Sequence, residues 1–467
     1  MPISGSTIQQ HTARVAGALA LGVAVAQAAM PAGDVAGTMP EDYLPALKTI
    51  LETAFQRSPQ LIAADLERVL AEARIDGANS ARLPSVGGNL NFSTNQTAIS
   101  SNTDSQTRDS GLFYNIGVTQ PLFHWRALKN QSDSARINLL IARKSYDLAA
   151  RELGVVLRRS FLALIVEKAR LRAAAEGLRL LRNDVAVVAE KKERGTASLG
   201  ALEGEKLRLR EAQLDYDRAV AEAETNRRRF ARLAGLAEMT ETAIPEEIPR
   251  PAFSPDLAAA LTAAVLRDGA KSRLEYEIYD LRVRDAMLRH AIERVRLYPK
   301  FYASAGFSLE NSTNVNASVV SQQGIQRRTA SVFAQWSIFD GFATRGAIRE
   351  ALANKRTQQR RLEVETEAIL QNIQTLERSL RLDVEQLALV EIRHGIAVEG
   401  GKVIAREVGF GNLPKGEVDR AQVAVLHATA RNQESRAALL GRWSEFVALA
   451  TSEPMWKNSP ARHAVEK

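Results

Sequence analysis

The chain carries the same series of landmarks twice, and this duplication limits what it can fold into more than any other feature. Each series has a proline closely preceded by an Arg-Leu pair, a phenylalanine that closes a strand-like run, and a glycine that ends a long charged run. The matched positions are Pro84 and Pro299, Phe123 and Phe339, and Gly195 and Gly409. These pairs lie 215, 216 and 214 residues apart. A repeat at this spacing predicts two halves with one shared architecture.

The composition excludes several classes of protein. The chain has no cysteine, which rules out disulfides, thiolate metal ligands, a cysteine nucleophile and a lipid anchor of the bacterial lipoprotein kind. The six histidines form no close pair, so a zinc site has no local support. No nucleophile–base arrangement and no phosphate-binding glycine loop stands out. We therefore predict a protein that is not an enzyme and that has no cofactor and no metal.

The N-terminus has the pattern of a secretory signal peptide. Arg14 is the only formal charge in residues 1–28, an apolar run of small residues follows it, and Ala26-Gln27-Ala28 fits a cleavage site. The apolar run is shorter than the roughly 20 residues that a membrane helix needs. A buried N-terminal helix is the alternative. The prediction is an exported chain with a signal peptide over 1–28. If the remainder enters a membrane, it must do so as strands.

Each half contains two runs in which apolar and polar or small residues alternate, as they do in strands. The predicted strands are about 86–95 and 111–123 in the first half and about 299–311 and 328–339 in the second. Runs of about 9–11 residues have the length of a tilted membrane strand. Polar segments, 95–110 and 311–327, would form the hairpin tips. The alternative is two soluble hairpins packed on helices.

Long segments without proline follow each pair of strands and predict rod-like helices. The first runs from Phe123 to Arg194 and would span about 100 Å as a helix. Apolar residues recur at heptad or 3/4 spacing, which indicates coiled-coil packing. They are Leu157, Leu164, Leu171, Leu178 and Val185, and then Leu362, Ile369, Ile373, Leu376, Leu380 and Leu387. Charged residues cover the other faces of the helices, for example Arg158-Arg159 and Arg227-Arg228-Arg229, and a run like the latter is interpreted as a solvated face.

Each rod is predicted to fold back at a glycine-containing turn into a return helix. The predicted organisation is a first copy over 29–236, a proline-rich linker over 237–256, a second copy over 257–450 and a tail over 451–467. The coiled-coil hairpins would occupy 126–235 and 342–449. The predicted fold is mostly α, with two β-hairpins and two long helical hairpins in an internal two-fold repeat.

This arrangement resembles the TolC family of outer-membrane efflux proteins over about residues 40–450. Pro121-Leu122-Phe123 resembles the family's exit from its second strand, and Phe339-Asp340-Gly341 is the matching exit in the second copy. Val408-Gly409-Phe410 is similar to the tip that members present to a periplasmic adaptor. No single motif is decisive, whereas their order and duplication together are specific.

The resemblance implies a homotrimer in which three protomers build a twelve-stranded membrane β-barrel and a helical tunnel. It implies a passive exit duct in the outer membrane of a Gram-negative bacterium, with its helices in the periplasm. Its partners would be outer-membrane lipid, a periplasmic adaptor and an inner-membrane pump, in tripartite efflux or type I secretion. A trimer is also favoured because four strands cannot close a barrel, and the backbone groups at open strand edges find no hydrogen-bond partner in lipid.

The resemblance also implies where a periplasmic gate and docking tips would lie. Glu417 occupies a gate position, and Arg420 stands where an acidic residue is more usual, so the two can pair at i, i+3. Glu203 and Glu205 are the gate candidates of the first copy. The candidate docking tips are Gly195, Val408, Gly409 and Phe410. A solvated helix face is the alternative for each charged residue.

Two other functions compete with the duct. A periplasmic adaptor also has coiled-coil hairpins, although it usually has one per chain between β-domains. A pI near 9.6 suggests an exported nucleic-acid binder, but the basic residues alternate with acidic ones and do not cluster with stacking aromatics. We therefore predict no nucleic-acid partner. The cargo, the pump and the ion selectivity stay open.

Overall fold

The computed structural model describes residues 38–99, 105–316, 319–451, 453 and 455. Its first half contains α1 Pro40–Tyr43, α2 Pro45–Arg57, α3 Pro59–Ser80, β1 Ser85–Ile99, β2 Ser105–Phe123, α4 Ala127–Glu193 and α5 Leu199–Ala234. Its second half contains α6 Pro255–Asp268, α7 Leu274–Arg294, β3 Lys300–Asn316, β4 Val319–Gln335, α8 Ala343–Gly409 and α9 Gly416–Ala450. The predicted fold class, mostly helical with antiparallel strands, is confirmed. The predicted signal peptide, 1–28, and most of the predicted tail lie outside the described residues.

The two long helices show the internal repeat most clearly. Both α4 and α8 contain 67 residues, and their first residues, Ala127 and Ala343, lie 216 positions apart. Each helix follows a residue in the left-handed region, Arg126 with φ 66° and Phe342 with φ 69°. This conformation is uncommon for non-glycine residues. Its occurrence at both equivalent junctions shows that the repeat extends to the backbone turn between strand and helix.

The four strands form one antiparallel sheet in the order β1-β2-β3-β4. The strands contain 15 to 19 residues, because pairing continues into the polar segments that the sequence assigned to tips, as in Asn95 opposite Asp109. Strand β4 ends at Gln335 instead of near 339. Gln335 pairs with Lys300, the first residue of β3, so the chain beyond it has no partner there. The residue before Lys300 is Pro299, which has no N–H to donate.

One face of the sheet is mainly apolar and the other is mainly polar, with Phe113, Tyr302 and Phe333 as apolar exceptions on the second face. Leu90, Tyr114 and Leu309 are opposite one another across three strands and share a face. Members of this apolar face that are exposed in the protomer are Val86, Leu90, Phe92, Leu112, Ile116 and Val332. The other face carries Asn115 opposite Ser308. An exposed apolar area on this scale indicates contact with lipid or another protein.

The helices continue the sheet in the same order. Helix α3 packs against α4, α4 against α7, and α7 against α8. These helices connect to β1, β2, β3 and β4 respectively, so they have the same spatial order as the strands. Further along, α4 contacts α5 and α9, and α9 contacts α8. The long helices therefore form one layer, with α5 and α8 at its two ends. Within the described ranges, none of the helices combines the length and apolar character that crossing a membrane requires.

The main core lies at mid-length of α4, where α2, the end of α5 and the linker pack on it. Leu157, Phe161 and Ile165 are fully buried there. Arg158 is also fully buried, with 0% exposure, so the prediction that it lies on a charged face away from the packed side of the helix is wrong. Its Nε donates to Glu41 Oε2 at 2.8 Å and its Nη1 to Glu453 Oε2 at 2.9 Å. Two carboxylates compensate the buried guanidinium.

The linker is shorter than predicted, because α6 begins at Pro255 inside the segment 237–256. Proline in the first helical turn favours a helix start. The linker is bonded to both hairpins. Lys168 of α4 donates to the carbonyl of Ile244 at 3.0 Å, and Gln433 of α9 accepts from the N–H of Ile248 at 2.7 Å. The linker therefore ties α4 to α9.

Candidate functional site

The first helical turn joins α4 to α5. The N–H of Gly195 donates to the carbonyl of Lys192 at 2.9 Å, and the N–H of Thr196 donates to the carbonyl of Lys191 at 2.8 Å. Gly195 has φ +73°, which glycine adopts without strain. Ser198 then caps α5, since its Oγ accepts from the N–H of Ala201 at 3.1 Å. Backbone and side-chain hydrogen bonds thus close this short turn.

The second turn repeats this bonding one glycine later than the sequence suggested. The N–H of Gly411 donates to the carbonyl of Val408 at 3.0 Å, and that of Asn412 donates to Glu407 at 2.9 Å. Gly411 has φ +82°, whereas Gly409 is the last residue of α8. The structural equivalent of Gly195 is thus Gly411, 216 positions on, and not Gly409. A Cβ added to Gly409 would meet no atom within 4 Å.

Apolar side chains are exposed at both turns. Phe410 has 76% of its surface exposed, and Leu199 and Leu413 are exposed as well. Val408 is half-buried. Exposed apolar residues at the tip of a charged helical hairpin have no role in the fold of the protomer. A docking role for the predicted tip residues Gly195, Val408, Gly409 and Phe410 stays a prediction.

The gate candidates Glu417 and Arg420 lie in the first turns of α9. Arg420 Nη1 donates to Glu417 Oε1 at 2.6 Å, in the i, i+3 geometry expected from the sequence. Arg420 Nη2 also lies 3.6 Å from Asp184 Oδ1 on α4. The pair is therefore part of a contact between the two hairpins and not only a local feature of α9.

A second link between α4 and α9 escaped the sequence analysis. Arg179 Nη2 donates to Asp419 Oδ1 at 3.0 Å, and Arg179 Nε donates to Glu176 Oε2 at 2.6 Å. Hydrogen bonds to Glu176 and then Asp419 raise the pKa of Arg179, which stays charged. Arg179 and Asp419 are 240 residues apart and belong to different copies. Only their opposite charges could have suggested the pairing.

The candidates of the first copy lie elsewhere. Glu203 accepts from Lys206 at 2.9 Å, and Glu205 accepts from Arg208 at 2.8 Å, all within α5. Across the described part of the chain, neither carboxylate has an ion pair outside α5. The protomer therefore does not bring Glu203 and Glu205 together with Glu417 and Arg420. The described residues also include no cluster of three or more metal-ligating acidic or histidine side chains.

The sequence model of the outer membrane efflux protein family matches residues 50–236 and 279–449. The chain belongs to this family of outer membrane efflux proteins. The two matched segments contain both long hairpins, both turns and all four strands. The adaptor alternative is therefore not favoured. No curated protein sequence matches the chain.

Solved structures with the same fold cover nearly the whole described chain. The CmeC outer membrane channel of Campylobacter jejuni has a TM-score of 0.68 at 12% identity, over 88% of this chain and 87% of that one. The outer membrane protein VceC of Vibrio cholerae has a TM-score of 0.64 at 14% identity, over 89% and 99%. The open state of the MtrE outer membrane channel of Neisseria gonorrhoeae has a TM-score of 0.59 at 14% identity, over 89% and 92%. At such identities the likeness shows the fold.

Proposed function

We propose that the protein is one third of a passive outer-membrane exit channel with its helices in the periplasm. The observation that carries the proposal is an incomplete sheet. Within the described residues, the outer edges of β1 and β4 have no strand partner. Lipid offers no hydrogen bonds to such edges. Pairing β4 of one copy with β1 of the next closes the sheet, and three copies supply twelve strands, an even number within the range of known barrels.

The two faces of the sheet suit this closure. The apolar face, with Leu90 and Ile116, would contact lipid, and the polar face, with Asn115 and Ser308, would line a water-filled lumen. Aromatic rings cluster where the strands end. The Trp125 ring lies 5.0 Å from that of Phe123 and 5.1 Å from that of Tyr298, both edge to face. Such rings form the interfacial girdle of membrane barrels.

The helical layer also has two unpartnered sides. Exposed apolar residues follow α8 at a seven-residue spacing, and others follow α5 at the opposite end of the layer. These residues are Leu382, Leu389, Ile396 and Val403 on α8, and Leu199, Leu207 and Leu214 on α5. Heptad-spaced apolar stripes bury themselves against another helix. Contact between α8 of one protomer and α5 of the next would extend the closed ring below the barrel.

The gate would lie where the turns end this tunnel. Two ion-pair links, Arg179–Asp419 and Arg420–Asp184, hold α4 against the start of α9, close to the second turn. All four side chains are partly exposed to solvent. Ion pairs of this kind are weak and screened by salt. The links can therefore break without loss of the fold, which is what a reversible opening of the two hairpins requires.

The exposed turn residues would serve as the contact with a periplasmic adaptor, which connects the duct to an inner-membrane pump. Phe410 and Leu199 offer apolar side chains that nothing in the protomer covers. Buried aromatic side chains commonly dominate the energy of protein interfaces. The cargo would be any solute that the pump delivers, since a passive wall need not bind it.

Conductance across a planar bilayer tests the proposal. Purified full-length protein is expected to insert and to pass ions in both directions without an energy source. Protein that inserts but never conducts, even at high voltage, would contradict the proposed function.

A further inference from the structure

Three aromatic rings form a row on the mainly polar face of the sheet, close to the ends of β2 and β4. His124 directly follows β2, Tyr302 is the third residue of β3, and Phe333 lies two residues before the end of β4. The ring centroid of Tyr302 lies 4.9 Å from that of His124 and 5.3 Å from that of Phe333. The planes of Tyr302 and Phe333 differ by 16°, so these two rings are stacked. The row therefore crosses the sheet from β2 to the edge strand β4.

These rings are separate from the aromatic rings of the apolar face. Phe301 lies on the apolar face, where it is opposite Phe123. Successive side chains of a strand point to opposite faces, so Tyr302 and its partner Phe333 belong to the polar face. In the proposed channel lipid contacts the apolar face only. Anchoring in the membrane interface therefore does not account for the row.

The row is open at Phe333. Tyr302 packs on the Phe333 ring, yet 44% of Phe333 stays exposed. Strand β4 is at the edge of the sheet, so no described strand of the protomer lies beyond it. In the proposed channel that place belongs to β1 of the next copy, whose first residues on the polar face are Ser85 and Gly87. Neither residue is large enough to cover an aromatic ring, so the lumen would reach Phe333.

One cationic side chain lies beside the row. Lys300 is on the polar face, two residues before Tyr302, and is half-buried. It is the diagonal neighbour of Phe333 across β3 and β4, about 7–8 Å away, which a long side chain can span. Among the described residues, no carboxylate lies within ion-pair distance of Lys300. The amine is therefore available to an anion.

The other charges on this face are far from the rings. In the described strands they are Asp109, Glu310 and Arg327, all near the opposite end of the sheet. Glu310 is ten residues along β3 from Lys300, or about 33 Å at 3.3 Å per residue. Beyond β4, Asp340 already accepts a hydrogen bond from the N–H of Thr344 at 2.9 Å. The rings thus have one positive charge beside them and no negative charge on their face, which favours an anion over a cation.

We propose that Phe333 and Lys300 bind a planar aromatic anion. Its ring extends the stacked row beyond Phe333, and its acidic group pairs with the Lys300 amine. Stacking and an exposed ion pair are each weak, so the ligand is released easily, as passage through a duct requires. The side chains of the site all belong to one protomer, and only their position in the channel lumen rests on the proposed function.

Calorimetric titration of the full-length protein in nanodiscs tests this proposal, with empty nanodiscs as the blank. The first probe is naphthalene-1-sulfonate. Decahydronaphthalene-1-sulfonate has the same charge and carbon skeleton without an aromatic ring, and 1-naphthylmethylammonium has the same ring with the opposite charge. We expect saturable binding of one naphthalene-1-sulfonate per protomer, about two- to tenfold tighter than either comparison probe.

Two variants separate the contributions of the ring and the charge. Phe333→Leu keeps an apolar side chain and should remove the preference for the aromatic over the saturated sulfonate. Lys300→Gln should remove the preference for the sulfonate over the ammonium probe. The matched controls are Phe113→Leu and Arg327→Gln, an aromatic residue and a cation on the same face near the far end of the sheet. Both controls should keep both preferences.

Three results would overturn the proposal: no saturable binding, equal binding of the three probes, or unchanged preferences in Phe333→Leu and Lys300→Gln. Bilayer conductance of the same samples separates this site from the channel. In a conducting channel, naphthalene-1-sulfonate should lower the ion current more in the unaltered protein than in Phe333→Leu. Conduction without binding counts against the site alone, and binding without any conduction counts against the proposed function alone.

Discussion

Two regions of the molecule use the same ion-pair chemistry in opposite surroundings. At mid-length of α4, Arg158 is fully buried between Glu41 and Glu453. Near the turns, the Arg179 and Arg420 side chains are 48% and 55% exposed. Breaking a buried pair leaves an uncompensated charge in the interior, whereas breaking an exposed pair exchanges it for water. Helix α4 is therefore firmly held at mid-length by the buried pairs and only weakly held to α9 by the exposed pairs near the second turn.

The buried cluster also joins α4 to α1 and to the segment that follows α9. Burial disfavours the charged form of Arg158, but hydrogen bonds and charge from Glu453 and Glu41 outweigh it and raise its pKa above the ordinary value. There is little room for change beside it, because a Cβ on Gly154 would lie 3.0 Å from Glu453 Oε2. The opening that we propose near the second turn would therefore leave the middle of α4 in place.

The largest effect is expected from Arg158→Met. It leaves two carboxylates buried without a cation, which should cost about 3–5 kcal/mol of the free energy of unfolding. Thermal unfolding of the detergent-solubilised protein measures the loss. Arg159→Met is the matched control, since the neighbouring Arg159 is exposed and should be nearly neutral. Equal losses of stability in the two variants would contradict the conclusion that the buried arginine stabilises the fold more than the exposed one.

An intermediate effect is expected at the second turn. Gly411 has φ +82°, so Gly411→Ala should destabilise the turn by about 1–2 kcal/mol. Gly409→Ala should be neutral or stabilising, because Gly409 is helical and has open space around its Cα. Hydrogen exchange of the turn amides distinguishes the two variants. Faster exchange in Gly409→Ala than in Gly411→Ala would refute the equivalence of Gly195 with Gly411.

Loss of the two ion-pair links between α4 and the start of α9 should change stability least. It should nevertheless change conduction most clearly. Arg179→Ala combined with Arg420→Ala should leave the unfolding temperature almost unchanged and should raise the open probability in planar bilayers. Lys206→Ala removes a pair confined to α5 and is the control. If the double variant conducts as the control does, these links do not hold the gate closed.

The elements of the fold that depend on the local spacing of residue types could be predicted from the sequence. The absence of proline and the spacing of Leu157, Leu164 and Leu178 predicted long packed helices, and these three residues are buried. The end of β4 could not be predicted, because the start of β3 at Lys300 decides where pairing stops. At the second turn two glycines compete, and only the hydrogen-bond pattern of the folded chain selects Gly411.

Contacts between distant parts of the chain were harder still to predict from the sequence. Glu417 and Arg420 are three positions apart, so helix geometry alone predicted their contact. The partners of Arg158 lie 117 and 295 positions away, and nothing near Arg158 in the sequence distinguishes it from the exposed Arg159. Contacts between the two copies are set by how the helices assemble. They become visible only when the layer of helices is known.

Our main conclusion is that one protomer holds only a third of a closed sheet. The mass of the protein extracted from membranes is the most direct test of it. Light scattering or native mass spectrometry in detergent measures it. We expect a stable trimer whose exposed sheet face binds detergent. A stable, water-soluble monomer that needs no detergent would refute the closed barrel, because the edges of β1 and β4 would then be tolerated without a partner.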